Sequence, residues 1–60
     1  MTLLTAQLMA QRCANRTGSS TIVYQDTHKN DGVLRYDYDF TLPTFGIRIG
    51  ERIYPNGFED

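Results

Sequence analysis

The spacing of apolar and polar residues changes near residue 20 of the chain. Residues 2–16 are rich in Leu, Ala, Gln, Met and Arg and contain neither Gly nor Pro, a composition that is typical of a helix. Thr2 is a candidate N-cap, and Gly18 is a natural stop after the last turn. The apolar positions form one broad arc of mostly small side chains, which predicts close packing against a sheet or another helix.

From there to the C-terminus, apolar residues recur at every second position, as they do in half-buried β-strands. The pattern predicts three strands, at residues 20–28, 33–41 and 46–54. Residues typical of turns and loops follow these strands, as KNDG at 29–32, LPTF at 42–45 and YPNG at 54–57. The few residues after YPNG are enough for a short fourth strand stub.

The heptapeptide LRYDYDF at 34–40 shows the alternation most clearly, with Leu and aromatic rings on even positions and charges on odd ones. We expect the even side to be the core face and the odd side to face water or a partner. This parity favours a pairing with Tyr24 opposite Tyr38 over one with Ile22 opposite Asp39.

These elements predict a single α+β domain over residues 1–60, in which the N-terminal helix packs on a three-stranded antiparallel β-meander (α-β-β-β). The second strand would lie in the centre of such a sheet, with the strands at 20–28 and 46–54 as its edges. Across the second loop, the same parity places Asp39 opposite Arg48, so that an acid and a base would pair across the strands.

The composition limits what can stabilise so short a chain. At 60 residues, folding buries only about 60% of the surface that the unfolded chain exposes. The single cysteine, Cys13, excludes an internal disulfide, and a single histidine excludes a zinc site with four His and Cys ligands within one chain. We therefore expect no metal and no cofactor, and self-association is the remaining support for a small core.

The sequence predicts a cytoplasmic protein. No apolar run approaches the roughly 20 residues that span a bilayer, and the N-terminal segment lacks the basic start and the uninterrupted apolar core of a signal peptide. A lone cysteine also fits a reducing compartment better than a secreted, disulfide-bonded scaffold.

Two groups of residues bear on catalysis or metal binding. Asp26, His28 and Asp31 are close in sequence but offer no fourth protein ligand, and their positions do not match a calcium loop, so a polar hairpin tip is the better interpretation. Cys13 with His28 would suit a nucleophile and its base, yet nothing in their spacing brings them together. No catalytic residue is predicted, and the chain is not expected to be an enzyme.

Tyrosines form the clearest aromatic group. Tyr36 and Tyr38 share the even face of the second strand, and Tyr54 lies near the last turn. The favoured interpretation is that most of these rings belong to the core. Because a helix of this length, about 22 Å, covers a three-stranded sheet only in part, the alternative is an aromatic contact patch of Tyr36, Tyr38 and Tyr54.

Nucleic-acid binding through Arg35, Arg48 and Arg52 is an alternative function. The formal net charge of −1 argues against it, because nucleic-acid-binding domains are normally basic. Parity also places these arginines on the face opposite the rings, so that one surface would not both stack bases and bind phosphates.

Protein binding is the preferred hypothesis, and two surfaces could provide it. The first predicted strand begins without any charge and would lie at a sheet edge open to a partner strand, with the contact residues Thr21, Ile22, Val23 and Tyr24. The second surface is the charged sheet face, formed by Arg35, Asp37, Asp39, Arg48 and Arg52.

We therefore expect a non-enzymatic protein–protein interaction module. Short chains of mixed charge are often accessory regulators or inhibitors, including those of phages and mobile elements. Self-association as a homodimer, through the first strand or the helix, is part of this expectation.

Overall fold

The computed structural model describes residues 1–28 and 31–56 of the chain. One helix is followed by three strands, namely α1 (Leu3–Thr17), β1 (Thr21–Asp26), β2 (Arg35–Asp39) and β3 (Gly46–Ile53). The strand pairs are antiparallel, which confirms the predicted α+β class with an N-terminal helix and three strands. The predicted fourth strand stub lies outside the described residues. No helix among those residues has the length and apolarity needed to cross a membrane.

The helix α1 begins and ends at the two capping residues that the sequence indicated, Thr2 and Gly18. The hydroxyl oxygen of Thr2 accepts a hydrogen bond from the backbone N–H of Thr5 at 3.2 Å, which satisfies one of the free donors of the first turn. Gly18 has φ 76°, a left-handed conformation that glycine adopts without steric cost. Its N–H donates to the Ala14 carbonyl at 2.8 Å and ends the helix.

Small residues bring α1 close to the sheet. Ala6, Ala10 and Ala14 recur every four residues and are all 0% exposed, so the helix backbone lies against the strands without long side chains between them. The hydroxyl of Thr21, itself fully buried, donates to the Ala10 carbonyl at 2.9 Å. This bond joins β1 directly to the backbone of the helix.

The strand order is β2-β1-β3, so β1 is the central strand. The predicted meander order, with the second strand in the centre, is therefore wrong, and so is the prediction of an edge strand at Thr21, Ile22, Val23 and Tyr24. None of these four residues is more than 6% exposed. A run of residues without charge is also typical of a strand that is covered on both faces, and β1 is such a strand.

The register of β1 with β2 also differs from the prediction. Val23 lies opposite Tyr38, and Ile22 lies opposite Asp39, which is the pairing that parity disfavoured. The connection between the two strands, residues 27–34, is too long to fix the register as a two-residue turn does. Because β1 is covered on both faces, its apolar residues of either parity can be buried.

The sheet has a front face towards α1 and a reverse face away from it. On the front face Val23 packs with Ala6 and Ala10, and further partly buried apolar side chains pack against this centre, namely Leu3, Tyr36, Tyr38, Ile49 and Ile53. Alternation along β1 places Ile22 and Tyr24 on the reverse face. Tyr24 therefore lies on a different face from the tyrosines of β2, contrary to the prediction.

Residues 40–45, the crossing segment, connect β2 to β3 over the reverse face. Both strands run antiparallel to β1 on opposite sides of it, so the chain must return along the length of β1, and an extended segment of this size reaches about 20 Å. The ring of Phe45 lies edge-on to that of Tyr24, with 6.1 Å between the centroids. The crossing segment covers Tyr24, and Ile22 is buried on the same face; the two residues are 6% and 1% exposed.

We expect Ala10→Leu to destabilise the fold by about 1–3 kcal/mol, because a larger side chain would force α1 away from β1 and its hydrogen bond with Thr21. Chemical denaturation followed by circular dichroism would measure this change. Gln7→Leu, at an exposed position of the same helix, is the matched control and should change the free energy of unfolding by about 0.5 kcal/mol or less. An Ala10→Leu protein as stable as the wild type would contradict the close packing of α1.

Candidate functional site

Hydrogen bonds hold the crossing segment at both of its ends. At its start, the Phe40 carbonyl accepts a hydrogen bond from Nη1 of Arg52 at 3.1 Å, and the same nitrogen donates to Oγ of Ser20 at 3.1 Å. At its end, the Phe45 carbonyl accepts the backbone N–H of Thr27, at 3.1 Å, and also the Thr27 hydroxyl. These bonds fix the position of the segment relative to β1 and β3.

A glycine lets the crossing segment lie close against β1. A Cβ on Gly46 would be 2.8 Å from Cδ2 of Tyr24 and 3.2 Å from Cγ of Pro43, so any larger residue would need its neighbours to move. The Gly46 N–H donates to the Pro43 carbonyl at 3.0 Å, and the ring of His28 packs beside that of Phe45 with 5.4 Å between the centroids. The inner side of the segment is therefore well packed.

The outer side of the crossing segment carries exposed apolar side chains. Phe40, Leu42 and Phe45 are 43%, 46% and 39% exposed, so each is partly anchored in the fold and partly open to solvent. The sequence pattern indicated only a loop at 42–45. The signal that could have identified this surface is the density of large apolar residues in a surface connection, which often marks an interaction site.

Charged residues flank the crossing segment on two sides. Alternation along the strands places the predicted charged sheet face on the reverse face in two groups, Arg35, Asp37 and Asp39 on β2 and Arg48 and Arg52 on β3. The central strand separates the two groups by about 9.5 Å, so the predicted pairing of Asp39 opposite Arg48 is wrong. The acids lie along one side of the segment, and Arg48 and Arg52 lie along the other.

A neighbouring acid in the connection before β2 binds Arg35. The two terminal nitrogens of Arg35 donate to the two carboxylate oxygens of Asp31, each at 2.8 Å. The hydrogen bonds from Arg35 and from the Val33 N–H lower the pKa of Asp31 from 3.8 to about 2, and the same ion pair raises the pKa of Arg35. Arg35 is therefore neutralised and apart from Arg48 and Arg52, which weighs against one phosphate-binding surface formed by all three.

The two acids of β2 bind amides of their own strand. The Tyr38 N–H donates to Oδ1 of Asp37 at 2.8 Å, and the Phe40 N–H donates to Oδ1 of Asp39 at 2.6 Å. Because these amides are not used in the pairing with β1, they would otherwise be free to bind another strand. The acids thus close much of the outer edge of β2.

The hydroxyl of Tyr24 lies near the same acids on the reverse face. Burial raises the pKa of this hydroxyl, and the carboxylates of Asp37, Asp39 and Asp26 raise it further. The phenol therefore stays protonated at neutral pH. Tyr24 acts as a neutral ring on which the crossing segment packs.

The three tyrosines of the predicted aromatic patch do not lie together. Tyr36 and Tyr38 pack into the front-face core, as the favoured interpretation had it. Tyr54 is 66% exposed beyond β3, where its carbonyl accepts a hydrogen bond from Nε2 of Gln11 at 2.8 Å. The prediction of one contact patch formed by these three residues is wrong.

The acids near His28 stabilise turns. Oδ1 of Asp26 accepts the His28 N–H at 2.8 Å, and Asp31 is bound by Arg35. Within residues 1–28 and 31–56, no three His, Cys, Asp or Glu side chains are placed to hold a metal ion. Cys13 lies partly buried on α1, whereas the His28 ring packs on the crossing segment.

We expect Gly46→Ala to destabilise the protein by about 1–3 kcal/mol, because the added methyl group would push the crossing segment away from Tyr24. Urea denaturation would measure the loss, and the chemical shifts of the Tyr24 and Phe45 ring protons would show whether the segment has moved. Thr44→Ala, at an exposed neighbouring position, is the control and should be nearly neutral. Equal stabilities of the two variants would contradict the close fit of the segment.

The carboxyl group of Asp31 should titrate near pH 2 in the folded protein, because Arg35 stabilises its charged form. Since folding lowers this pKa, the stabilisation is present above the ordinary value of 3.8 and is lost as the pH falls through about 2. An NMR titration of the carboxyl carbon would measure the pKa, which should return towards its ordinary value in Arg35→Gln. If Asp31 titrates normally in the wild type, the ion pair does not persist in solution.

Comparison with known proteins gives no independent assignment of these surfaces. No protein-family model, no curated protein and no solved structure matches the chain.

Proposed function

We propose that this chain is a non-enzymatic protein-binding module that acts as an accessory regulator or inhibitor of a larger protein. Its contact surface is the crossing segment on the reverse face. The observation that carries the proposal is the exposure of Phe40, Leu42 and Phe45 on a segment that hydrogen bonds hold at both ends.

Three large apolar side chains are enough for the centre of a small interface. Protein interfaces have apolar centres with aromatic anchors, and a few such residues supply most of the binding free energy. The bonds from Arg52 and Thr27 hold the segment in place before binding. This reduces the conformational entropy that is lost when the partner binds, so the segment is suited to rigid docking.

The charges beside the crossing segment would set the orientation of the partner. Asp37 and Asp39 lie on its β2 side, and Arg48 and Arg52 lie on its β3 side. A partner with basic groups facing the first pair and acidic groups facing the second would match both sides, whereas a rotated partner would meet like charges. The charged sheet face thus forms the polar rim of the proposed contact.

The position of the segment supports a regulatory or inhibitory role. An apolar segment laid over the outside of a sheet can occupy a concave site of a larger protein and block it, and this effect needs no catalytic residue in the chain. Action in the cytoplasm and the formation of a homodimer remain predictions from the sequence.

A photo-crosslinking amino acid at position 42 would test the proposal in the cells that produce the protein. With p-benzoylphenylalanine in place of Leu42, irradiation should give one discrete adduct with another protein, which mass spectrometry would identify. The same amino acid in place of Thr5, which is exposed on α1, is the control and should not give this adduct. No adduct at position 42, or equal adducts at both positions, would contradict the proposal.

The identified partner then allows a binding measurement with purified proteins. Phe40→Ala and Leu42→Ala should each weaken binding by about fivefold or more, as expected for residues at the centre of an interface. Thr5→Ala should bind as the wild type does. If folded Phe40→Ala and Leu42→Ala proteins keep full affinity, the crossing segment is not the contact surface.

A further inference from the structure

Among residues 1–28 and 31–56, no strand pairs with the outer edge of β3. On β2, the Tyr36 N–H donates to the Met1 carbonyl at 3.1 Å, which shows that the backbone groups of Tyr36 point away from β1. Inward and outward groups alternate in antiparallel pairs, so Gln25, opposite Tyr36, directs its own groups to Ile47 of β3. The N–H and C=O of the next residue, Arg48, therefore point outward.

The open part of this edge is short and is centred on Arg48. Within residues 1–28 and 31–56, neither outward group of Arg48 has a hydrogen-bond partner. The outward N–H of Gly46, two residues earlier, is bound by the Pro43 carbonyl. Two residues after Arg48, Gly50 has φ 72° and the pairing with β1 becomes irregular, a bulge that limits the edge in this direction.

The helix α1 crosses the front face at an angle and leaves the start of β3 uncovered. Met1, which precedes α1, bonds to β2. Gln11, near the other end, donates to the Tyr54 carbonyl beyond β3 at 2.8 Å. The helix therefore covers β2 at its beginning and β3 only at its end, and Ile47 on the front face of β3 is 56% exposed.

Two exposed leucines of α1 lie on the side that faces this uncovered part. Leu4, Leu8, Gln11 and Asn15 follow one another at helical spacing and share one side of the helix. The bonds that Gln11 and Asn15 make to the chain beyond β3 show that this side is turned towards β3. Leu4 and Leu8 are 76% and 51% exposed, and together with the exposed Ile47 we call these apolar side chains the β3 notch.

We propose that the β3 notch and the open edge of β3 bind an extended segment of another protein, which adds to the sheet as a fourth strand. Its front-face side chains are apolar and pack against Leu4, Leu8 and Ile47. Its reverse-face side chains are acidic, because Arg48 is exposed on the reverse face at this edge.

The chain already contains a strand with this pattern. In β2, Tyr36 and Tyr38 pack on the front face, and Asp37 and Asp39 alternate with them on the reverse face. Within the chain, β2 pairs with one edge of β1. The segment that fits β3 is the counterpart of β2 at the other edge of the sheet.

A second copy of this chain fits the same edge less well. Two-fold pairing of β3 with β3 would place Arg48 and Arg52 of both copies on one reverse face, where like charges on neighbouring strands destabilise the pair. An acidic strand places carboxylates beside the arginines instead. Charge complementarity therefore favours a different protein as the occupant.

A synthetic octapeptide that alternates valine and aspartate is the probe, and one that alternates valine and lysine is its matched control. Added to the isotope-labelled full chain, the aspartate peptide should shift the NMR signals of residues 46–49 and those of Leu4 and Leu8. Because Arg48 attracts one peptide and repels the other, the aspartate peptide should bind at least about tenfold more tightly.

Substitutions of Arg48 separate backbone pairing from charge. Arg48→Glu keeps the backbone N–H and should reverse the preference between the two peptides. Arg48→Pro removes an N–H that is not used within the fold, so the protein should remain folded and lose the binding of both peptides. Leu42→Ala, on the crossing segment, should leave peptide binding unchanged, which separates this inference from the proposed function.

Three results would overturn the inference: equal binding of the two peptides, signal shifts confined to residues outside β3 and the start of α1, and no shift at millimolar peptide concentration. Sedimentation of the free protein gives a further check. A dimer whose amides at residues 46–49 are protected from exchange would assign the edge to a second copy, and this would also overturn the inference.

Discussion

The fold depends on covering the central strand on both of its faces. Ile22 and Val23 are neighbours on β1, so their side chains point to opposite faces, and each is 1% exposed. The alanines of α1 cover the front face. Among the described residues α1 is the one helix, so a connection between strands has to serve as the second layer, and residues 40–45 lie over the reverse face for this reason.

So thin a layer determines what the surface looks like. An amphipathic helix buries the side chains of one side and exposes those of the other. In a single extended segment, the side chains that pack on the sheet are themselves partly exposed to solvent. Phe45 shows this, because its ring packs on Tyr24 and is still 39% exposed. The proposed contact surface and the reverse-face core therefore share residues, so that changes selected for binding act on stability as well.

Local patterns were sufficient to predict the elements but not their arrangement. Thr2, Gly18 and the arc of small residues on α1 depend on neighbours in the chain, and they agree with the structure. Strand order depends on which strand is covered on both of its faces. The uncharged run at 21–24 is compatible with an edge strand as well as with a central strand. The crossing segment was missed because its packing role exists only when β1 is central.

The acids of LRYDYDF show why a face obtained from parity is not yet a binding site. Parity correctly places Asp37 and Asp39 away from the helix, but their oxygens bond to amides of their own strand and close that edge of the sheet. The sheet is left with one edge blocked and the other short, charged and limited by the bulge at Gly50. An asymmetric sheet of this kind disfavours open-ended stacking of copies, because each added copy would have to pair through its blocked edge. Pairing of β3 with a single strand from a different protein does not involve the blocked edge of β2.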